Sequence, residues 1–194
     1  MSDRWDDSAD TWDTNSNVIY YSDKAYASLI DSVNIEGKRI LDFGCGTGLL
    51  TERVSPLASS IVAIDTSPKM INVLQSKKLQ NVVALSDSLT LELINNNSAF
   101  KQKFNIVVAS SVLSFIPNYM SVLKLLRSLL VTDGLLFQWD WLQPDDDPEF
   151  GLSETTIENS LETTGFKHVS LSKPFTLTFE KGEMPVVMAV AKNA

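Results

Sequence analysis

From Gly37 onward the chain alternates short apolar runs with amphipathic stretches, a pattern that predicts strands and helices in turn. Arg39–Phe43 reads as a buried strand running straight into Gly44-Cys45-Gly46-Thr47-Gly48, and a helix over Leu49–Val54 follows and stops near Pro56. Ser60–Ile64 is a second strand ending on Asp65. Ser67 as N-cap and Pro68 at the first helical position open the next helix, where Met70, Val73 and Leu74 form an i, i+3, i+4 stripe. Val82–Leu85 and Phe104–Ala109 read as strands three and four, with Asn95-Asn96-Asn97 marking a loop between them. Over Asn118–Leu130 the pattern predicts a helix with Val122, Leu125, Leu126 and Leu129 on its apolar face and Ser121, Lys124 and Arg127 facing away. Asp133-Gly134 turns the chain into strand five, Leu135–Trp139, and Pro144-Asp145-Asp146-Asp147-Pro148 reads as a surface loop. Ser153 caps a last helix, Glu154–Thr164, closed by Gly165. The tail reads as two strands, Lys167–Leu171 and Val186–Ala191, joined through Glu180-Lys181-Gly182-Glu183.

Strands separated by helices predict an α/β fold built on a parallel sheet, in one domain over residues 1–194. Residues 1–35 differ: they are polar, with Trp5, Trp12, Tyr20, Tyr21 and Tyr26 interleaved, and show no strand pattern. They are expected to form a helical lid over a core made by residues 36–194.

Composition narrows the partners. Sixteen Lys and Arg against 24 Asp and Glu leave a net charge of −8, and the nearest approach to a basic cluster is Lys77-Lys78, which suits a helix C-terminus. Nucleic-acid binding draws on clustered cations that displace phosphate counterions, so DNA and RNA are not expected as partners. No apolar run approaches the ~20 residues of a membrane span. The acidic start, Asp3 to Asp7, does not resemble a secretory signal, and the single cysteine, Cys45, excludes an intrachain disulfide; together these point to a cytoplasmic protein.

The candidate chemistry lies where strand one meets its helix. Glycines at alternate positions of Gly44-Cys45-Gly46-Thr47-Gly48 let the backbone turn sharply and approach a ligand that a Cβ would exclude. The carboxylate of Asp65, at the end of the next strand, stands where this type of fold sets an acid over a ribose.

These residues carry a resemblance. Leu41-Asp42-Phe43-Gly44-Cys45-Gly46-Thr47-Gly48, followed by Ala63-Ile64-Asp65-Thr66-Ser67-Pro68-Lys69-Met70-Ile71, resembles the class I S-adenosylmethionine-dependent methyltransferases, and in particular the small-molecule branch with the ubiquinone/menaquinone-type enzymes. The resemblance implies a Rossmann-like, seven-stranded sheet in the order 3-2-1-4-5-7-6 with strand seven antiparallel, helices on both faces, and S-adenosylmethionine as cofactor. It further implies that Asp42, Gly44, Cys45 and Gly46 lie against the methionine part of the cofactor and that Asp65 takes the ribose hydroxyls. Thr66 and Met70 would lie along the adenosine, Asp87 would accept from the adenine amino group, and Ser110 would stand between methionine moiety and acceptor. For Asp87 a solvated loop aspartate is the rival reading.

The competing classes are a protein that binds the cofactor without turnover and a nicotinamide-dependent oxidoreductase. The latter needs glycine where Leu49 stands and an apolar residue where Asp42 stands; a carboxylate there suits a sulfonium and an ammonium group rather than dinucleotide phosphates. In-line displacement at carbon asks mainly for alignment and exclusion of water, so no catalytic triad is expected. His168 reads as an edge-strand residue and Cys45 as a small apolar filler beneath the loop. Serine at position 110 and the lack of a His/Cys cluster predict no metal. A small-molecule methyl acceptor is expected, bordered by Tyr20, Tyr21, Ser111 and Trp139, with Trp12 and Trp141 nearby.

Overall fold

A computed structural model describes residues 5–144, 147, 150–180 and 182–194. Seven strands form one sheet in the order β3-β2-β1-β4-β5-β7-β6. β1 (Arg39–Phe43), β2 (Ser60–Asp65), β3 (Val82–Ser86), β4 (Phe104–Ser110) and β5 (Leu130–Trp141) pair in parallel. β7 (Gly182–Asn193) runs antiparallel to both β5 and β6 (Lys167–Phe179), so strand order and orientation are those the resemblance implied.

The apolar strands bury both faces, because successive side chains point to opposite sides. Leu41, Val62, Val107 and Leu136 enter one core layer with Leu123, Leu126 and Leu161. Ile40, Ile61, Ile106 and Phe137 enter the other with Leu50, Ile71 and Leu74. The helices between strands begin as their caps dictate. Gly48, in the left-handed region at φ 80°, precedes α3 (Leu49–Val54), and the Ser67 side chain accepts from Met70 N at the start of α4 (Pro68–Ser76). Ser153 likewise accepts from Thr156 N to open α7 (Glu154–Thr163).

Several boundaries differ from expectation. α6 (Tyr119–Leu129) buries Leu123, Leu126 and Leu129, so its apolar stripe is rotated from the expected one and Arg127 is half-buried. A short helix, α5 (Leu91–Asn96), takes in Asn95 and Asn96, because Thr90 caps its first turn. β5 begins five residues early: Asp133-Gly134 forms an irregularity within the strand rather than a turn before it, with Asn193 Nδ2 donating to Leu130 O and Val131 O, both at 3.1 Å. β6 and β7 extend well beyond their expected ranges, through register shifts around Lys173-Pro174, and the far end of β6 reaches the mouth of the site. Lys181 of the expected turn and Asp145, Asp146 and Pro148 of the expected loop lie outside the described residues.

The N-terminal segment divides in two. α1 (Ala9–Trp12) lies outside the sheet, whereas α2 (Ser16–Ser32) is built into it: Tyr21, Ala25 and Leu29, four residues apart, are buried in the second core layer. Trp139 Nε1 donates to Ser28 Oγ at 2.9 Å and keys that helix to the middle of the sheet. The expectation that residues 1–35 act together as a lid over an independent core therefore gives way, for α2, to a helix that is part of the core.

Candidate functional site

A cavity of about 820 Å³ opens over the carboxyl ends of β1, β2 and β4, where an open α/β sheet leaves its crevice. All nine residues expected on the cofactor side line it: Asp42, Gly44, Cys45, Gly46, Asp65, Thr66, Met70, Asp87 and Ser110. The loop that holds them is shaped by two glycines for different reasons. Gly44, at φ 70°, donates its N–H to Ile64 O at 2.8 Å; a Cβ there would sit 2.3 Å from Val112 Cγ2, so packing demands glycine. Gly46, at φ 53°, has nothing closer than Trp12 Nε1 at 3.8 Å from where a Cβ would stand. That position borders open cavity, a cradle in which backbone can meet a ligand.

Asp65 stitches this loop to the next. Its Oδ2 accepts from Gly46 N and its Oδ1 from Ser67 N, both at 2.9 Å. Each carboxylate oxygen has room for about two donors, so both keep capacity for further partners. Burial raises its pKa, and the backbone hydrogen bonds pull the other way. Asp42 is buried to 2 % exposure and accepts from Thr51 Oγ1 at 2.6 Å; burial raises its pKa to about 7 against that bond, with Asp65 pushing in the same direction as burial. Neither carboxylate has a salt-bridge partner among the described residues. Burial and both acids push the pKa of the Cys45 thiol well up, which disfavours the thiolate.

A buried and a half-buried acid, both without salt-bridge partners among the described residues, beside an open backbone cradle fit a ligand that brings positive charge and hydroxyl donors together. A sulfonium or ammonium would relieve Asp42, and a ribose could donate to Asp65. Asp87 is exposed at the rim; its Oδ1 accepts from Ser88 N at 2.7 Å, while its own N–H donates to Asp65 O at 3.0 Å.

On the acceptor side the expected residues part company. Tyr21 and Ser111 line the cavity. Trp139 does not: it is fully buried in the second core layer, because β5 continues two residues past it and Trp141 is the residue that reaches the mouth. Tyr20 also falls away, pointing outward from α2 with 43 % exposure. Ser111 sits in the left-handed region at φ 52° and donates its N–H to Trp139 O at 2.7 Å, a constrained backbone at the strand end. The buried Tyr21 hydroxyl lies near Ser111 without a partner at full hydrogen-bond geometry, and burial together with the Asp140 carboxylate pushes its pKa well up. Asp140 is itself fully buried; Gln138 Nε2 donates to it at 2.9 Å and Ser114 N at 3.2 Å, and burial raises its pKa to about 6.

Of the aromatic wall, Trp12, Tyr21 and Trp141 were expected from sequence, while Trp5, Phe115 and Phe179 were missed. Trp5 packs edge-on against Trp12 at 5.8 Å and Phe115 at 5.3 Å between ring centroids. Tyr21 meets Trp141 at 5.2 Å, and Trp141 meets Phe179 at 6.1 Å. Phe115 follows β4 and Phe179 ends β6, positions that only the folded chain brings to the mouth. The strap that carries Trp5 and Trp12 is tied down by carboxylates: Asp6 accepts from Ser67 Oγ, and Asp13 accepts from Thr47 Oγ1 and pairs with Lys77 at 2.8 Å. His168 lies on the edge strand β6, away from the cavity. Among the described residues no three His, Cys, Asp or Glu converge as metal ligands, and no helix is long and apolar enough to cross a membrane.

With this geometry in hand, known proteins give a consistent picture. Residues 41–136 match the family described as a methyltransferase domain. The chain is 28 % identical over 104 residues to a ubiquinone biosynthesis O-methyltransferase of Haemophilus ducreyi, covering 52 % of this chain and 44 % of that protein. It is 34 % identical over 116 residues to an uncharacterised methyltransferase of Schizosaccharomyces pombe, covering 57 % of this chain and 41 % of that one. The chain thus spans less than half the length of these curated relatives. Its fold is similar to that in a DhpI–SAH complex, with a TM-score of 0.72 at 18 % identity over 97 % of this chain and 93 % of the other.

Proposed function

We infer that this chain, a class I methyltransferase by motif and by fold, transfers the methyl group of S-adenosylmethionine to a small-molecule acceptor. The observation that carries the reading is the pair of carboxylates without salt-bridge partners among the described residues, buried Asp42 and half-buried Asp65, beside the open cradle at Gly46. When bound, the cofactor supplies an activated methyl group on a sulfonium, a leaving group that needs no protonation. The chain's own residues then have four tasks. Asp42 balances the positive charge of the methionine part. Asp65 accepts from the ribose hydroxyls with the capacity its two backbone donors leave. Ser110 and Ser111 hold the acceptor at the strand end, and the aromatic wall keeps water out. Alignment of this kind accounts for up to roughly 7–11 kcal/mol of barrier in favourable systems.

The ubiquinone-type relative supports a small molecule as acceptor, and the acidic chain supports the same choice over nucleic acid. The test is a methyl-transfer assay with S-adenosylmethionine labelled in its methyl group, run against a metabolite extract. Label moving into a small-molecule fraction is the expected result. Binding of the cofactor with no labelled product in any fraction would replace the enzyme with a cofactor-binding protein.

A further inference from the structure

The charges and rings around the cavity limit what can share it with the cofactor. Its charged lining residues are Asp42, Asp65 and Asp87, all negative, and among the described lining residues there is no Lys, Arg or His. Of the cations outside the lining, Lys77 pairs with Asp13 and Glu52, and Arg53 with Asp23. Two linked sets of rings also line it, Trp5, Trp12 and Phe115 in one and Tyr21, Trp141 and Phe179 in the other. A carboxylate or phosphate entering here would lose its hydration against rings, meet three carboxylates and find no counter-charge on any described lining side chain, leaving the cofactor's sulfonium, which Asp42 already balances, as the one positive charge opposite it. A second cation would be repelled by the cofactor's own sulfonium. A flat, uncharged ligand meets neither penalty and gains ring contacts. At about 820 Å³ the cavity lies toward the upper end of the ~300–1,000 Å³ range of ligand pockets, which leaves room beside a cofactor.

We propose that the acceptor site selects flat, uncharged aromatic molecules and rejects anionic ones of the same shape. The proposal rests on the methyltransferase reading, since that reading puts acceptor and cofactor in one cavity. It is tested by calorimetry with three probes that share a ring system: 2-naphthol, 2-naphthoate and 2-naphthyl phosphate. Each is titrated into the whole chain at pH 7.5, chosen as roughly physiological and so that 2-naphthoate is ionised, first alone and then after saturation with S-adenosylhomocysteine. The S-adenosylhomocysteine titration reads the methyltransferase assignment by itself, and the ranking of probes reads the selectivity. The expected ranking has 2-naphthol at least about tenfold tighter than either anion, a gap of roughly 1.4 kcal/mol. A wall variant, Phe179→Arg, supplies the missing cation; with S-adenosylhomocysteine affinity retained, it should raise 2-naphthoate affinity about tenfold. An anion bound as tightly as 2-naphthol by the parent chain, or no binding of 2-naphthol to the S-adenosylhomocysteine complex, overturns the proposal.

Discussion

Single carboxylates carry most of the account at the residue scale. The raised pKa of Asp42, about 7, means that a cationic ligand binds best once that group has lost its proton. S-adenosylmethionine affinity should therefore strengthen between pH 6 and 8, chosen to span roughly one unit on each side of that value. The Asp42→Asn variant should bind weakly and without that rise; titrations at several pH values that show the same slope for both proteins would refute the assignment. Asp65→Ala should weaken binding by about 1.5–3 kcal/mol, since it removes a charged acceptor of two hydroxyls. Asp140 offers a stability test with a defined sign. Its native pKa, about 6, lies above the unfolded value, so its contribution to stability is fully present below the unfolded pKa and is lost as the pH rises through about 6. Asp140→Asn should then melt above the parent at pH 8, by on the order of 1–3 kcal/mol, and lose that advantage towards pH 4. The unpartnered Gln138 Oε1 can turn to accept from the new amide. A variant less stable at every pH would contradict this. Asp42, the glycines and Asp65 were legible because they belong to one βα turn and the end of the next strand, where spacing along the chain is spacing in the fold. Trp139 was misplaced because a strand end two residues too early puts the wrong tryptophan at the mouth.

Among the elements, the N-terminal segment changed most between sequence and structure. Its polar composition hid α2, whose buried face is only Tyr21, Ser22, Ala25 and Leu29, too sparse to stand out from the acidic and hydroxyl residues around it. Leu29→Ala should cost about 2–5 kcal/mol by leaving a cavity in the second core layer. A chain begun after Ser32 should lose its cooperative melting transition, whereas one begun at Thr14 should keep it. These outcomes would leave the strap before α2 as the one part of the segment open to act as a lid. Hydrogen exchange should show amides 5–13 gaining protection when S-adenosylhomocysteine is added, while those of α2 stay protected throughout. Equal protection of the strap with and without ligand would make it fixed structure. The β6–β7 hairpin was half legible: alternation located its inner parts, but Lys173-Pro174 interrupts the pattern just where the strands continue towards the site.

Across the whole molecule, the sheet was readable because its central strands are short apolar runs bounded by turn residues, and that pattern admits few arrangements. The order β3-β2-β1-β4-β5-β7-β6 came from the resemblance, since periodicity alone does not say which edge a strand joins. The acceptor wall was half legible, Trp12, Tyr21 and Trp141 being expected and Trp5, Phe115 and Phe179 not, for a physical reason: its rings come from the strap, α2, the segment after β4, the end of β5 and the end of β6, and only folding assembles them. The same assembly sets the charge of the cavity, three acids and no cation among the described lining residues, in keeping with a chain whose net charge is −8. One measurement bears most directly on the central claim, a parallel calorimetric titration of the chain with S-adenosylmethionine, S-adenosylhomocysteine and NADH. The account predicts micromolar binding of the first two and none of the third. Binding of NADH at comparable affinity, or no binding of either sulfur compound, would contradict it.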